Sequence, residues 1–74
     1  INLMDLQENL QLFADLGIAK NENGYWFVDL SMANITKLLG SGRIKDKIKV
    51  KVAKASKMAK KKIEEAGGGV ELNA

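Results

Sequence analysis

With 74 residues, 46% of them hydrophobic and 28% charged, the chain is long enough for one small domain spanning 1–74 and too apolar to remain disordered. It contains no cysteine and no histidine, which excludes disulfides, thiolate metal sites, the usual general base near neutral pH and the Ser/His and Cys/His dyads, and so argues against an enzyme, a metal site or a cofactor. The formal net charge of +3 hides a strong asymmetry: eleven of the twelve cationic residues lie between Lys37 and Lys62 against the single acid Asp46, while residues 1–36 hold Lys20 against five acids.

In chain order, the sequence predicts an α/β fold: a small single domain of three irregular strand–helix turns with a short final strand. Ile1–Leu3 is an extended start. Asp5 stands three residues before Glu8, the spacing of a capping box, and Leu3 is placed to staple it. Leu6, Leu10 and Phe13 then recur at i, i+4 and i+7, one face of a helix that Gly17 stops. Asn21-Glu22-Asn23-Gly24 is a turn, because Asn and Gly both tolerate positive φ. Tyr25–Leu30 is aromatic and β-branched, hence a strand, with Trp26, Val28 and Leu30 on one face and Tyr25 and Phe27 on the other. Ser31 is expected to cap a short helix with Ile35, Leu38 and Leu39 on its apolar side. Asn34 is that helix's weak point, and Gly40-Ser41-Gly42 ends it as a flexible connection.

The third unit has the clearest pattern. From Ile44 to Val52, Ile44, Asp46, Ile48, Val50 and Val52 alternate with Lys45, Lys47, Lys49 and Lys51. Period two means a strand with one buried face and one lysine face. Asp46 interrupts the apolar side, which places the well-buried part at Ile48–Val52. Ser56 caps a helix running to Ala66, with Met58, Ala59, Ile63 and Ala66 inward and Lys57, Lys60, Lys61 and Glu64 outward. Lys62, nearer the buried side, is expected to snorkel its ammonium to water. Gly67-Gly68-Gly69 reverses the chain into the strand Val70-Glu71-Leu72. No apolar run approaches the ~18 residues of a transmembrane helix, and there is no signal-peptide pattern. The absence of cysteine fits a reducing compartment, and a start at Ile1 fits a segment of a longer protein.

A concentrated cationic segment attracts polyanions, since each lysine or arginine near a phosphate releases a condensed counterion. The expected contact set is Arg43, Lys45, Lys47, Lys49, Lys54, Ser56, Lys57, Lys60 and Lys61, forming one continuous surface. Lysine is a point charge without bidentate geometry, so these residues would position phosphates and not read bases. Three duller readings compete. A lysine row on an edge strand blocks aggregation; Ser56 serves a helix as a cap alone; Tyr25, Trp26 and Phe27 are core packing and not a stacking platform. Gly40-Ser41-Gly42-Arg43 lacks the spacing and the lysine of a phosphate loop. Helix-turn-helix, zinc-finger and basic-zipper signatures are missing, which disfavours an independent DNA-binding domain.

The sequence Lys37-Leu38-Leu39-Gly40-Ser41-Gly42-Arg43-Ile44, followed by Val50-Lys51-Val52 and then Ala55-Ser56-Lys57-Met58-Ala59-Lys60-Lys61-Lys62-Ile63-Glu64-Glu65-Ala66-Gly67-Gly68-Gly69-Val70-Glu71, resembles the C-terminal globular domain of the large-subunit ribosomal protein fifteen family. The capped start at Ile1-Asn2-Leu3 resembles the archaeal and eukaryotic branch. The resemblance implies a structural constituent of the large ribosomal subunit in the cytoplasm. Its implied partners are rRNA and neighbouring ribosomal proteins, with no membrane and no small-molecule substrate. It also implies a turn at Asn34, where the family usually has glycine and where asparagine tolerates the left-handed conformation. The family's glycine- and arginine-rich N-terminal arm, which threads into rRNA, has no counterpart in these residues. The alternative function is a protein-interaction module that docks basic neighbours through the acidic N-terminal half, Asp5, Glu8 and Asp15 included.

Overall fold

The lysine-alternating segment becomes an interior strand. In the computed structural model, which describes residues 1–73, β1 (Ala19–Glu22), β2 (Tyr25–Asp29), β4 (Lys47–Val52) and β6 (Gly69–Leu72) form a four-stranded sheet in the order β1-β2-β4-β6. β1 and β2 are an antiparallel hairpin; β4 runs parallel to both β2 and β6. A smaller two-stranded sheet pairs β3 (Lys37–Leu38) with β5 (Lys54–Ala55). The helices are α1 (Leu3–Glu8), α2 (Leu10–Asp15) and α3 (Lys57–Glu65).

All three helices lie on one face of the sheet. Leu3, Leu6, Leu10 and Phe13 from α1 and α2 and Ala59 and Ile63 from α3 are buried in one cluster with Val28, Ile48, Val50 and Val52. The alternation of β4 sends Ile48, Val50 and Val52 into that cluster and Lys47, Lys49 and Lys51 to solvent on the other face. Each fully buried aliphatic side chain contributes roughly 1.5–3 kcal/mol against the chain entropy lost, so this single layer of helices on a sheet carries the domain's stability.

Several local expectations hold. Asn23 and Gly24, at φ 54° and 82°, make the left-handed turn of the β1–β2 hairpin. Gly17, at φ 78°, ends α2 in a Schellman arrangement. Its N–H donates to the Ala14 carbonyl, and the Ile18 N–H reaches back to Phe13. Asn34 is left-handed, at φ 58° and ψ 29°, as the glycine-tolerant turn requires. The Ser56 Oγ accepts from the Ala59 N–H at 3.1 Å and so caps α3.

Others are corrected. No capping box forms at Asp5 and Glu8: the first helix begins at Leu3 with Asn2 as its cap residue, and that cap makes no side-chain hydrogen bond. Leu3 is not a staple before the helix but a buried residue inside it. The single helix expected as far as Leu16 is split at Asn9. Its φ of −105° and ψ of 13° leave the helical region, and its Nδ2 donates to the Asp5 carbonyl at 2.7 Å. Ala19–Glu22, with one apolar residue in four, gave no strand signal, yet the tight turn after it folds it onto β2.

The helix expected after Ser31 does not form. Asp29, not Ser31, is the cap. It accepts from the Ser31 N–H, and a single 3-10 turn over Leu30–Ala33 ends at Asn34. Leu38 is then buried from the short strand β3, while Leu39 is exposed. The Gly40–Gly42 segment is packed and not a flexible connection. A Cβ on Gly40 would sit 2.7 Å from Met58 Cβ, and one on Gly42 would sit 2.7 Å from the Met4 backbone nitrogen. Met58 is 58% exposed, not inward-facing. Ile44 lies before β4 and is only half-buried. Asp46 likewise precedes the strand, where it accepts from Gln7 Nε2 at 2.6 Å.

Candidate nucleic-acid interface

Because β4 is flanked by β2 and β6, its lysine row cannot be an edge guard, and the aggregation-blocking reading falls. Lys47, Lys49 and Lys51 stand on an exposed interior strand at the two-residue repeat, about 6.6 Å apart along the chain. Register places Tyr25 beside Lys47, Phe27 beside Lys49 and Asp29 beside Lys51. From the far edge, Lys20 stands opposite Phe27 and Glu22 opposite Tyr25. On the other side Gly69 neighbours Lys49 and Glu71 neighbours Lys51. The cationic character is therefore concentrated toward Lys47, Lys49 and Lys20, whereas Asp29 and Glu71 flank Lys51. The Ser31 hydroxyl donates to the Asp29 carboxylate and, with smaller help from Lys51, holds it below the ordinary carboxylate pKa against the opposing effect of burial.

α3 supplies a second basic surface. Lys57 and Lys61 are exposed and Lys60 is half-buried, on the outer side of a helix whose Ala59 and Ile63 face the sheet. Glu64 and Glu65 share that shallow surface with the three lysines. Lys54, exposed in β5, precedes the Ser56 cap by two residues and extends this set beyond the helix start. Arg43 shares a depression with Ile44, Lys62, Glu65 and Ala66, along the later half of α3. The Lys45 side chain is exposed, and its backbone N–H donates to Gln7 Oε1 at 2.8 Å.

The sheet thus divides the expected contact set. Lys47 and Lys49 point away from the helical layer, while Lys54, Ser56, Lys57, Lys60 and Lys61 belong to it, with Arg43 alongside. The expectation of one continuous surface is corrected to two surfaces on opposite sides of the sheet. The reason is geometric: an alternating strand that buries its even residues under α3 must direct its odd residues away from α3.

Sequence reasoning missed two members of the sheet side and misread one lysine. Lys51 follows from the period-two pattern; Lys20 joins the face only through the β1–β2 pairing. Lys62 does not reach for water. Its Nζ donates to the Gly40 carbonyl at 2.7 Å and the Gly42 carbonyl at 2.9 Å. The tight glycine segment is thereby tied to the last turn of α3, while the Leu3 and Met4 N–H groups donate to the Leu39 and Ser41 carbonyls and tie it to α1. Among the described residues no group of three acidic, histidine or cysteine side chains is placed to hold a metal, and no helix is long and apolar enough to cross a membrane.

The family of ribosomal proteins described as 50S-L15 and 50S-L18e, together with their 60S counterpart, matches residues 1–71. The chain belongs to this family. Its curated relatives include large ribosomal subunit protein uL15 of Archaeoglobus fulgidus, 43% identical over 70 residues that make up 95% of this chain and 39% of that protein. The uL15 proteins of Hyperthermus butylicus and Aeropyrum pernix are each 46% identical over 95% of this chain, covering 46% and 44% of their own lengths. The chain therefore spans less than half the length of these relatives. They are named for a ribosomal subunit and not for a reaction; they agree with the family resemblance read from the Leu-Leu-Gly-Ser-Gly and Ser-Lys segments and, being archaeal, with the branch read from the Ile1-Asn2-Leu3 start.

Proposed function

We infer that this domain is a structural, non-catalytic part of the large ribosomal subunit in the cytoplasm and that it holds rRNA through phosphate contacts. The observation that carries this reading is the interior position of the Lys47–Lys49–Lys51 row. Three cations sit side by side on an uncovered sheet face, where neither edge protection nor core packing accounts for them. Family membership supplies the ribosomal context. Lys47 and Lys49 act on one side; Lys54, Lys57, Lys60 and Lys61, with the Ser56 cap at the helix start and Arg43 and Lys45 on the loop, act on the other. A domain with two basic sides is suited to lie between two RNA segments.

Binding of a large-subunit rRNA fragment tests this. Log affinity should fall with log salt by roughly 0.7–0.9 per phosphate engaged. Replacing Lys47 and Lys49 with glutamate, and separately Lys57 and Lys61, should each weaken binding and flatten the salt dependence while the fold persists. A slope near zero would refute the phosphate mechanism. Contact with a neighbouring protein is a second, compatible reading. It is favoured by Leu12 and Leu16 on and just after α2, which are 51% and 62% exposed near the acids Glu8 and Asp15. Cross-links from Glu8 or Asp15 to protein in assembled subunits would support it.

A further inference from the structure

Resting on the RNA-binding reading above, we propose that the helix-free face of the sheet takes a single-stranded RNA segment, with an unpaired base stacked on Tyr25 and Phe27. The two rings lie on the same face of β2 with centroids 5.1 Å apart and planes tilted by 33°, and Phe27 is 40% exposed. Neither belongs to the buried cluster, which takes Val28 and the half-buried Trp26 from the opposite face. Two large aromatics without a core to fill are a stacking platform, and base–aromatic stacking tolerates any base because every base has a π-face.

The surroundings favour RNA over an apolar protein surface. Phe27 lies in register between Lys20 and Lys49, and Tyr25 between Glu22 and Lys47, so each ring has a lysine as a strand neighbour to engage an adjoining phosphate. A depression of about 350 Å³ opens along the same face beside Phe27, bordered by Lys20, Asp29, Met32, Lys49 and Lys51. Gly69, next to Lys49 in β6, has open space where a side chain would stand, so nothing walls off the platform on that side. Asp29 and Glu71 flank Lys51 and steer the phosphates toward Lys20, Lys47 and Lys49. Duplex RNA buries its base faces in its own stack and cannot use the rings. The site therefore selects single strands, which the phosphate contacts alone would not do.

Fluorescence anisotropy at fixed low salt provides the test, with a labelled oligouridylate of about ten nucleotides and a duplex RNA carrying the same number of phosphates as probes. Tyr25→Val and Phe27→Val remove the rings and place a strand-favouring β-branched residue at positions outside the buried cluster. Each is expected to weaken single-strand binding by about 5- to 100-fold, with the salt slope and duplex affinity unchanged. Phe27→Trp is expected to retain tight binding. If both valine variants bind the single strand as the parent does while Lys49→Gln weakens it, stacking is overturned and the phosphate reading survives. If the valine variants lose duplex and single strand equally, stacking is also overturned, because the rings then only support the sheet. If the parent binds neither probe, the phosphate reading itself fails, and stacking with it.

Discussion

Replacing Lys62 with methionine separates a structural lysine from a solvated one. The ammonium donates to two carbonyls, Gly40 at 2.7 Å and Gly42 at 2.9 Å, and methionine keeps the apolar stem while removing both donors. A hydrogen bond to a charged group contributes roughly 1.5–3 kcal/mol. The site is only partly buried, so water can take over part of the carbonyl pairing, and the two bonds together should be worth about 2–3 kcal/mol. At roughly 4–8 °C per kcal/mol for a domain of this size, the melting temperature should fall by about 10–20 °C. Trp26, the only tryptophan and half-buried against the core, reports unfolding by its fluorescence during heating and in urea. Lys61→Met is the matched control: its side chain is exposed on α3, and its effect should stay within about 0.5 kcal/mol. Equal stability of the Lys62 and Lys61 variants would refute the clamp.

Gly42→Ala should destabilise by about 2–4 kcal/mol. At φ 99° an L side chain is strained, and the added Cβ would strike the Met4 side chain and lie 2.7 Å from its backbone nitrogen. Gly17→Ala, at φ 78° with nothing within 4 Å, should show only the backbone strain of about 1–2 kcal/mol; urea midpoints of the two variants compare them directly. The Ser31–Asp29 contact should make stability acid-sensitive. A carboxyl whose folded pKa lies below its unfolded value of ~3.9 stabilises fully above that value and loses the contribution as pH falls through the folded value. Asp29→Asn should therefore flatten the stability profile on the acid side, below about pH 5, and an unaltered profile would remove Asp29 from the acid response.

Legibility followed periodicity. The alternation at 48–52 and the Ser56-capped helix carry strong local patterns, and both appear where expected. So do the turns at Gly17 and Asn23-Gly24, whose residue types tolerate positive φ. What failed was decided by tertiary pairing. Ala19–Glu22 becomes a strand because a left-handed turn delivers it to β2, not through its own composition. Leu38 and Ala55 form a parallel pair in place of the helix that Ser31, Ile35, Leu38 and Leu39 had suggested. Most basic residues of the candidate interface were visible in the sequence, but Lys20, which joins the sheet face only by strand pairing, and the division between two sides were not. That division depends on which face of β4 the helices cover, and this follows from packing across the whole chain. Lys62 was misread for a related reason: its partners are carbonyls 20 and 22 residues away.

Lysine acetylation footprinting, read residue by residue by mass spectrometry on the free domain and on the domain bound to large-subunit rRNA, tests the central claim most directly. Lys47 and Lys49 on the sheet face and Lys57 and Lys61 on α3 should react freely alone and become protected in the complex. Lys62 should react slowly in both states because its ammonium is already engaged. Equal reactivity of those four lysines with and without rRNA would contradict the account.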